Sequence, residues 1–367
     1  MNKVVPIFFL LISTLCFSQK IDETKTNYIN PEFETEIKEA KTLITELMNE
    51  KSIPGLSITV ANKNKILWSE GFGFADLENK TSVKINSKFR IGSISKSLTS
   101  IALGKLIEEG KINLSDTVEE LVPYFPKKKY PITIQELASH TSGIRNYNYK
   151  NGEYFSDTHY KTIKESLDIF KGDSLLFEPK TKYGYSTYGY VLLSAAIEEV
   201  TGQNFLDYMQ NNVFEPMEMH NTVPDLNHKI IDKRVEFYQL RDSTIINASY
   251  IDNSNKWAGG GFLSSSLDLA KMSQHLIRKD KLKKETVKLI WTPTTLANGE
   301  KINYCLGWHR DTTDSENTYI HHGGSSIGGR SFLLIYPEEE IIISITCNLF
   351  TRFNELFVLK VVDKFKK

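Results

Sequence analysis

The pentapeptide Gly92-Ser93-Ile94-Ser95-Lys96 sets a hydroxyl and an amine three positions apart at the start of a run with helical periodicity, so both side chains share one face. An unactivated serine is a weak nucleophile. A lysine one turn away can take its proton, provided that burial or a neighbouring positive charge keeps the amine neutral. The helix amino end adds a positive field at the same place. Taken alone, these letters equally describe an ordinary helix start.

A second cluster, Tyr183-Gly184-Tyr185-Ser186-Thr187-Tyr188-Gly189-Tyr190, lies directly before the apolar run Val191 to Val200. The phenol of Tyr185 can relay a serine proton to a leaving group if adjacent cationic charge depresses its pKa, and Thr187 can donate or accept a hydrogen bond beside it. An aromatic turn is more commonly packing. The third cluster runs from Tyr319 through His321-His322-Gly323-Gly324-Ser325-Ser326-Ile327-Gly328-Gly329, with four glycines in seven residues. Such a run permits close backbone approach, so a strand-edge N–H can face developing oxyanion charge while His321 hydrogen-bonds into a cleft. A flexible hairpin with surface histidines is the plainer alternative. Neither histidine has sequence partners organised for zinc, and the Gly-x-x-x-x-Gly-Lys of a phosphate loop is missing, so no metal or organic cofactor is expected.

The elements that must position these groups follow from periodicity. Asn30 caps a helix with Pro31 at its first position, and Phe33, Ile37, Ala40, Leu43, Ile44, Leu47 and Met48 recur on one face. After Pro54-Gly55, Leu56, Ile58 and Val60 alternate with polar neighbours, a turn falls at Asn62 to Asn64, and Ile66 to Trp68 completes a hairpin. Helical spacing resumes from Ile94 to Glu109 and stops at Gly110, with a further helix signal at Thr133 to Ala138. From Leu114 to Ile251 helical and loop patterns dominate, including Tyr190 to Val200 and Phe205 to Phe214. Strand patterns return at Leu306 to His309, Tyr319 to His321, Arg330 to Tyr336 and Ile341 to Ile345, the stretches Tyr304 to Trp308 and Ile341 to Thr346 by the two late cysteines read as strand-like, and a last helix spans Asn354 to Phe365. The order predicts an α+β fold, an antiparallel sheet covered by terminal and internal helices beside an inserted, mostly helical lobe. The expected boundaries are an α/β lobe at about 30–112 and 252–367 and a helical lobe at about 113–251, with the cleft between them.

Among the 367 residues, 45 basic groups balance 45 acidic ones, so no global field draws in nucleic acid or anionic lipid. Lys3 followed by the apolar stretch Val4 to Leu15 reads as a signal peptide over residues 1–18, too short for a permanent membrane anchor and implying a periplasmic or extracellular destination. Lipid attachment at Cys16 is the lesser alternative, because Leu15 is bulky. Cys305 and Cys347 are too few for a disulfide scaffold, and a single bridge between them requires that their strands be neighbours.

The three clusters, in this order, resemble the serine beta-lactamase and D-alanyl-D-alanine peptidase superfamily, particularly its class C and esterase-like branch. Phe89 to Lys96 is similar to the nucleophile entry of that family, Tyr185-Ser186-Thr187 to its Tyr-x-Asn element, and His321-His322-Gly323 to its Lys/His-x-Gly element. Supporting stretches are Pro54-Gly55, His140-Thr141-Ser142-Gly143, Phe214 to Met219 and Ala258 to Asp268. The Tyr-Ser-Thr form and Lys256 to Phe262 look most like the mitochondrial serine beta-lactamase-like proteins of animals and their bacterial relatives, which implies peptidase-like activity before antibiotic resistance. The resemblance implies acyl transfer: Ser93 attacks a carbonyl, Lys96 and Tyr185 share base and acid duties, and the N–H groups of Ser93 and Gly324 form the oxyanion hole. His321 would take the place often held by lysine, with His322 and Gly323 beside the substrate. Thr187 departs from the usual asparagine, which puts beta-lactam turnover in doubt. Implied substrates are small peptides, D-Ala-containing muropeptides, esters or beta-lactams. A different class, a catalytically weak binding or self-assembling protein, is disfavoured by the joint presence of Ser93, Lys96, Tyr185 and His321.

Overall fold

Alternation of Leu56, Ile58 and Val60 with Ser57 and Thr59 produces the strand Gly55–Asn62, and Asn62 then makes the turn by accepting from the N–H groups of Asn64 and Lys65 at 2.9 and 2.8 Å. The partner strand is Ile66–Asp76. These coordinates are a computed structural model that describes residues 21–313, 316–353 and 355–366; the expected signal peptide and Cys16 lie outside the described residues.

Every pairing in the main sheet is antiparallel. Its order is Asn27–Ile29, Ile66–Asp76, Gly55–Asn62, Ile341–Cys347, Gly329–Tyr336, Thr318–Ser326 and His309–Thr312, with the two-residue strand Thr81–Ser82 on the side of Ile66–Asp76. Chain ends therefore meet in the middle, where Gly55–Asn62 pairs with Ile341–Cys347. Period-two alternation then sorts side chains between two cores. Leu56, Ile58, Val60, Leu334, Tyr336, Ile343 and Ile345 point to the face covered by the terminal helices Glu34–Lys51 and Glu355–Val362. Ala61, Ile320, Leu333, Ile335 and Ile342 point to the internal helices Ile94–Glu108, Thr187–Thr201 and Ser266–Arg278. Ser57 and Thr59 share that inner face, and their hydroxyls meet Ser266 Oγ at 2.8 and 2.9 Å, so polar groups placed under a helix end are satisfied. The α+β architecture is thus the one expected, sheet, flanking helices and inserted helical region included.

Local departures have physical causes. Within the helical region, Tyr238–Arg241 and Thr244–Asn247 form a small hairpin whose turn residues Asp242 and Ser243 take φ of 47° and 64°, the twist that a two-residue hairpin requires. Tyr304 to Trp308 is a tight turn and not a strand: Cys305 N–H donates to Trp308 O at 2.7 Å, and the strand starts only at His309. Cys305 and Cys347 are free thiols, because Cys305 packs in the inner core and Cys347 in the outer one, across the sheet from each other. Among the described residues no helix is long and apolar enough to cross a membrane.

Candidate active site

The helix Ile94–Glu108, which follows Ser93, is buried on nearly all sides, beyond the single apolar stripe its spacing suggested. Its polar residues are consequently tied down: Ser97 Oγ donates to Gly307 O at 2.7 Å, and Thr99 Oγ1 to Ala258 O at 2.9 Å. Ser93, immediately before the first turn, is the half-buried exception among its neighbours.

Lys96 is fully buried, and its Nζ has three oxygen neighbours: Gly259 O at 2.6 Å, Ser93 Oγ at 3.2 Å and Thr187 Oγ1 at 3.3 Å. Burial, reinforced by the positive charge of Lys256, holds the amine well below the usual lysine range. A neutral amine has two N–H groups and one lone pair. Once the amine is neutral, N–H groups on Gly259 O and Thr187 Oγ1 would leave the lone pair for the Ser93 hydroxyl. Lys256 is itself buried and pushed down to about 8, under the rings of Tyr147 and Tyr154 at 5.6 and 5.3 Å.

Tyr185 comes from the turn that starts the helix Thr187–Thr201, where Ser186 Oγ caps by accepting from Gly189 N at 3.0 Å and donates to Arg145 O at 2.7 Å. The Tyr185 hydroxyl is hydrogen-bonded to Ser93, and its ring lies 4.7 Å from Lys96 Nζ. Burial pushes its phenol up, opposite to the depression anticipated from adjacent cationic charge, because the cost of desolvating the phenolate outweighs the hydrogen bond with Ser93. Tyr185 therefore remains a protonated phenol at neutral pH, suited to passing a proton and not to acting as a phenolate base. Substituting Phe keeps the ring and removes the hydroxyl; kcat/KM on the best available substrate should fall by about 10²-fold or more in a folded Tyr185→Phe protein. An unchanged value would remove this phenol from the proton path.

Behind Tyr185 stands His140, which sequence reasoning named only within a supporting stretch. The capping box of Thr133 and Glu136 starts the short helix Ile134–Ala138, and the chain then turns through His140 at a φ of 60°. Its buried imidazole lies 4.1 Å from the Tyr185 ring and 4.5 Å from Tyr304, while Nδ1 accepts from Ser186 N–H at 3.2 Å. Burial keeps it well below the histidine range, hence neutral. It is a wall that fixes the phenol.

The third cluster enters on the strand Thr318–Ser326, and alternation separates its two histidines. His322 pairs with Leu333 on the inner face, whereas His321 pairs with Leu334 on the outer. His321 thus leaves the cluster: its Nε2 sits 2.8 Å from Asp311 Oδ2, and its ring stacks on Phe332. His322 takes the inward place, with Nε2 receiving the Tyr304 hydroxyl at 3.1 Å and Nδ1–H donating to Gly323 O at 2.7 Å. Burial and the nearby His309 hold it well below the usual range, so it is neutral where a lysine would be charged.

The same register turns the N–H one residue beyond Gly324 toward the Ser93 turn. Ser326 and Gly329 close a two-residue turn and so exchange hydrogen bonds, which makes Gly324 with Ser331 the next hydrogen-bonded pair and Ser325 with Arg330 the open one between them. Gly324 N–H is used inside the sheet. Ser325 N–H points outward, toward the nucleophile turn: a Cβ on Gly92, which has a φ of 50°, would lie 2.5 Å from that nitrogen. Gly324 completes the approach, since a Cβ there would sit 1.8 Å from Ile91 O. Gly323 lies beside this edge, half-buried. Of the site residues expected from sequence, Ser93, Lys96, Tyr185, Thr187 and His322 converge, while His321 and the Gly324 N–H do not. Lys256, Gly259, His140, Tyr304 and Ser325 join them.

A buried lysine with a depressed pKa and a phenol on one serine, at the seam of an antiparallel sheet and a helical layer, is the arrangement of a serine acyl-transfer hydrolase. The chain belongs to the Beta-lactamase family, whose model matches residues 40–360. It is 31% identical over an aligned length of 441 residues to the human mitochondrial serine beta-lactamase-like protein LACTB, covering 91% of this chain and 80% of that one. Among solved structures, the octameric penicillin-binding protein homologue from Pyrococcus abyssi superposes with a TM-score of 0.74 at 26% identity, over 85% of this chain and 73% of that one. The D-amino acid amidase from Ochrobactrum anthropi shares the fold, with a TM-score of 0.76 at 19% identity over 90% and 97% of the two chains.

Proposed function

We propose that this chain is an exported serine hydrolase that forms an acyl-enzyme on Ser93 and acts on small peptides, D-Ala-containing peptides or simple esters. Membership of the family supports a serine-hydrolase mechanism of acyl transfer on peptide- or ester-like substrates. The single observation that carries the reading is the buried amine of Lys96, its pKa held well below the usual lysine range and its Nζ 3.2 Å from Ser93 Oγ. A catalytically silent scaffold has no use for such a costly burial.

In the proposed cycle, Lys96 takes the Ser93 proton as Oγ adds to the substrate carbonyl. The N–H groups of Ser93 and Ser325 receive the developing oxyanion, at a site where the backbone donors are already oriented. The proton returns through the neutral phenol of Tyr185 to the leaving amine or alkoxide, and the carbonyl re-forms as that bond breaks. Water, deprotonated by the same pair, then releases the acyl group and restores Ser93.

Two features favour peptide and ester substrates over beta-lactams. His322 carries no charge at neutral pH, so it offers the carboxylate of a penicillin less attraction than a lysine would, a loss that uncharged esters and amides do not share. Thr187 engages Lys96 and Tyr147, and its hydroxyl is shorter than the amide of an asparagine. With matched chromogenic reporters, the purified mature enzyme should turn over peptide or ester substrates faster than penicillins and cephalosporins, and Thr187→Asn should narrow the gap by speeding beta-lactam acylation. Efficient penicillin hydrolysis by the unmodified enzyme would overturn the preference.

A further inference from the structure

The histidine that leaves the catalytic cluster acquires other partners. His309 and His321 are direct cross-strand partners at the sheet edge, and Asp311, two residues along the same strand, lies on the same face as His309. Their rings stack at 5.1 Å with an interplanar angle of 22°. One ligand atom from each of His309, Asp311 and His321 falls within 4.8 Å of the others, and His321 Nε2 is 2.8 Å from Asp311 Oδ2. Bonds of about 2.0–2.2 Å to zinc place tetrahedral ligands roughly 3.3 Å apart, so a small turn of the half-buried His309 and Asp311 toward the buried His321 closes this set around an ion.

We propose that His309, Asp311 and His321 form a binding site for a divalent transition metal of the zinc type, separate from the Ser93 centre. Two imidazoles and a carboxylate form a donor set that zinc accepts. Outer contacts orient the two carboxylates: Asn303 Nδ2 donates to Asp311 Oδ1 and leaves Oδ2 turned to the histidines, and Tyr319 hydroxyl holds Glu355, whose other carboxylate oxygen is 4.0 Å from His321 Nε2. Glu355 or a water supplies the fourth ligand. An ion here would clamp the edge strand His309–Thr312 to its neighbour and join that edge to the start of the last helix. It would also reach the catalytic wall, because the His309 ring lies 4.7 Å from Tyr304 and 5.3 Å from His322.

The test uses the untagged mature protein, stripped with a chelator and titrated with zinc chloride by calorimetry. One zinc ion per chain and a raised Tm are expected in the wild type. Asp311→Asn and His309→Gln should each weaken binding by at least about tenfold and abolish the Tm rise, while Asn303→Ala should weaken it less, since that side chain only orients Asp311. Cobalt provides an independent reading on the wild type, whose visible bands should have the intensity of a four-coordinate site. Zinc uptake well below one per chain, equal affinity in wild type and Asp311→Asn, or a cobalt spectrum like that of the free hydrated ion would each overturn the proposal.

Discussion

A folded Ser93→Ala protein should show no covalent labelling by a fluorophosphonate or a slowly released beta-lactam, whereas the wild type takes one adduct per mature chain, located on Ser93 by peptide mass spectrometry. Turnover should fall by at least about 10⁴-fold, because no attacking oxygen remains while the oriented donors and the binding cleft persist. The expectation rests on position as well as chemistry. Ser93 is the half-buried residue at the head of a helix otherwise packed into the core, and it is the oxygen that both the Lys96 amine and the Tyr185 phenol reach. Removing one small hydroxyl at this mouth leaves the core packing intact, so loss of activity with an unchanged Tm separates chemistry from stability. Hydrolysis at the wild-type rate by the folded variant would demand another nucleophile or direct attack by water.

The second large effect concerns Lys96. Replacement by Ala removes the proton acceptor and should lower kcat/KM by about 10³-fold, roughly 4 kcal/mol of transition-state stabilisation. The pH profile carries the more specific reading. Only the neutral amine can accept a proton, so the rate should rise with pH as Lys96 loses its charge, over a range well below that of an ordinary lysine. Lys256 contributes to that depression through its own positive charge. Lys256→Met keeps the buried stem and deletes the charge; the Lys96 pKa should then rise and the ascending limb should move to higher pH. Lys256→Arg, retaining a cation, should stay nearer the wild type. An ascending limb that ignores Lys256→Met in a folded protein would remove Lys96 as the titrating base.

Much of the architecture was legible because each element repeats its own signal. The strands Gly55–Asn62, Gly329–Tyr336 and Ile341–Cys347 alternate or run apolar, and Thr133 with Glu136 marks a helix start as a capping box. Tyr304 to Trp308 misled for the same reason. Its apolar residues look like a strand, yet Gly307 at a φ of 79° bends the chain into a turn. The choice between His321 and His322 was a matter of one residue. A strand of period two converts that single step into opposite faces of the sheet, and Gly324 and Ser325 differ in the same manner.

From the sequence alone came the serine at a helix start with its lysine one turn away, the tyrosine turn before an apolar helix, the glycine-rich late strand, and the α+β order of elements. These are local properties, set by spacing along the chain, and local spacing survives folding. The tertiary structure alone decided which histidine faces Ser93, which strand N–H is free for an oxyanion, that Lys256 lowers the pKa of Lys96, and that His309 and Asp311 gather around His321. Each of these depends on register between strands or on burial among segments far apart in the chain. The burial that lowers the pKa of Lys96 and raises that of Tyr185 exists only once the sheet and the helical layer have closed over them.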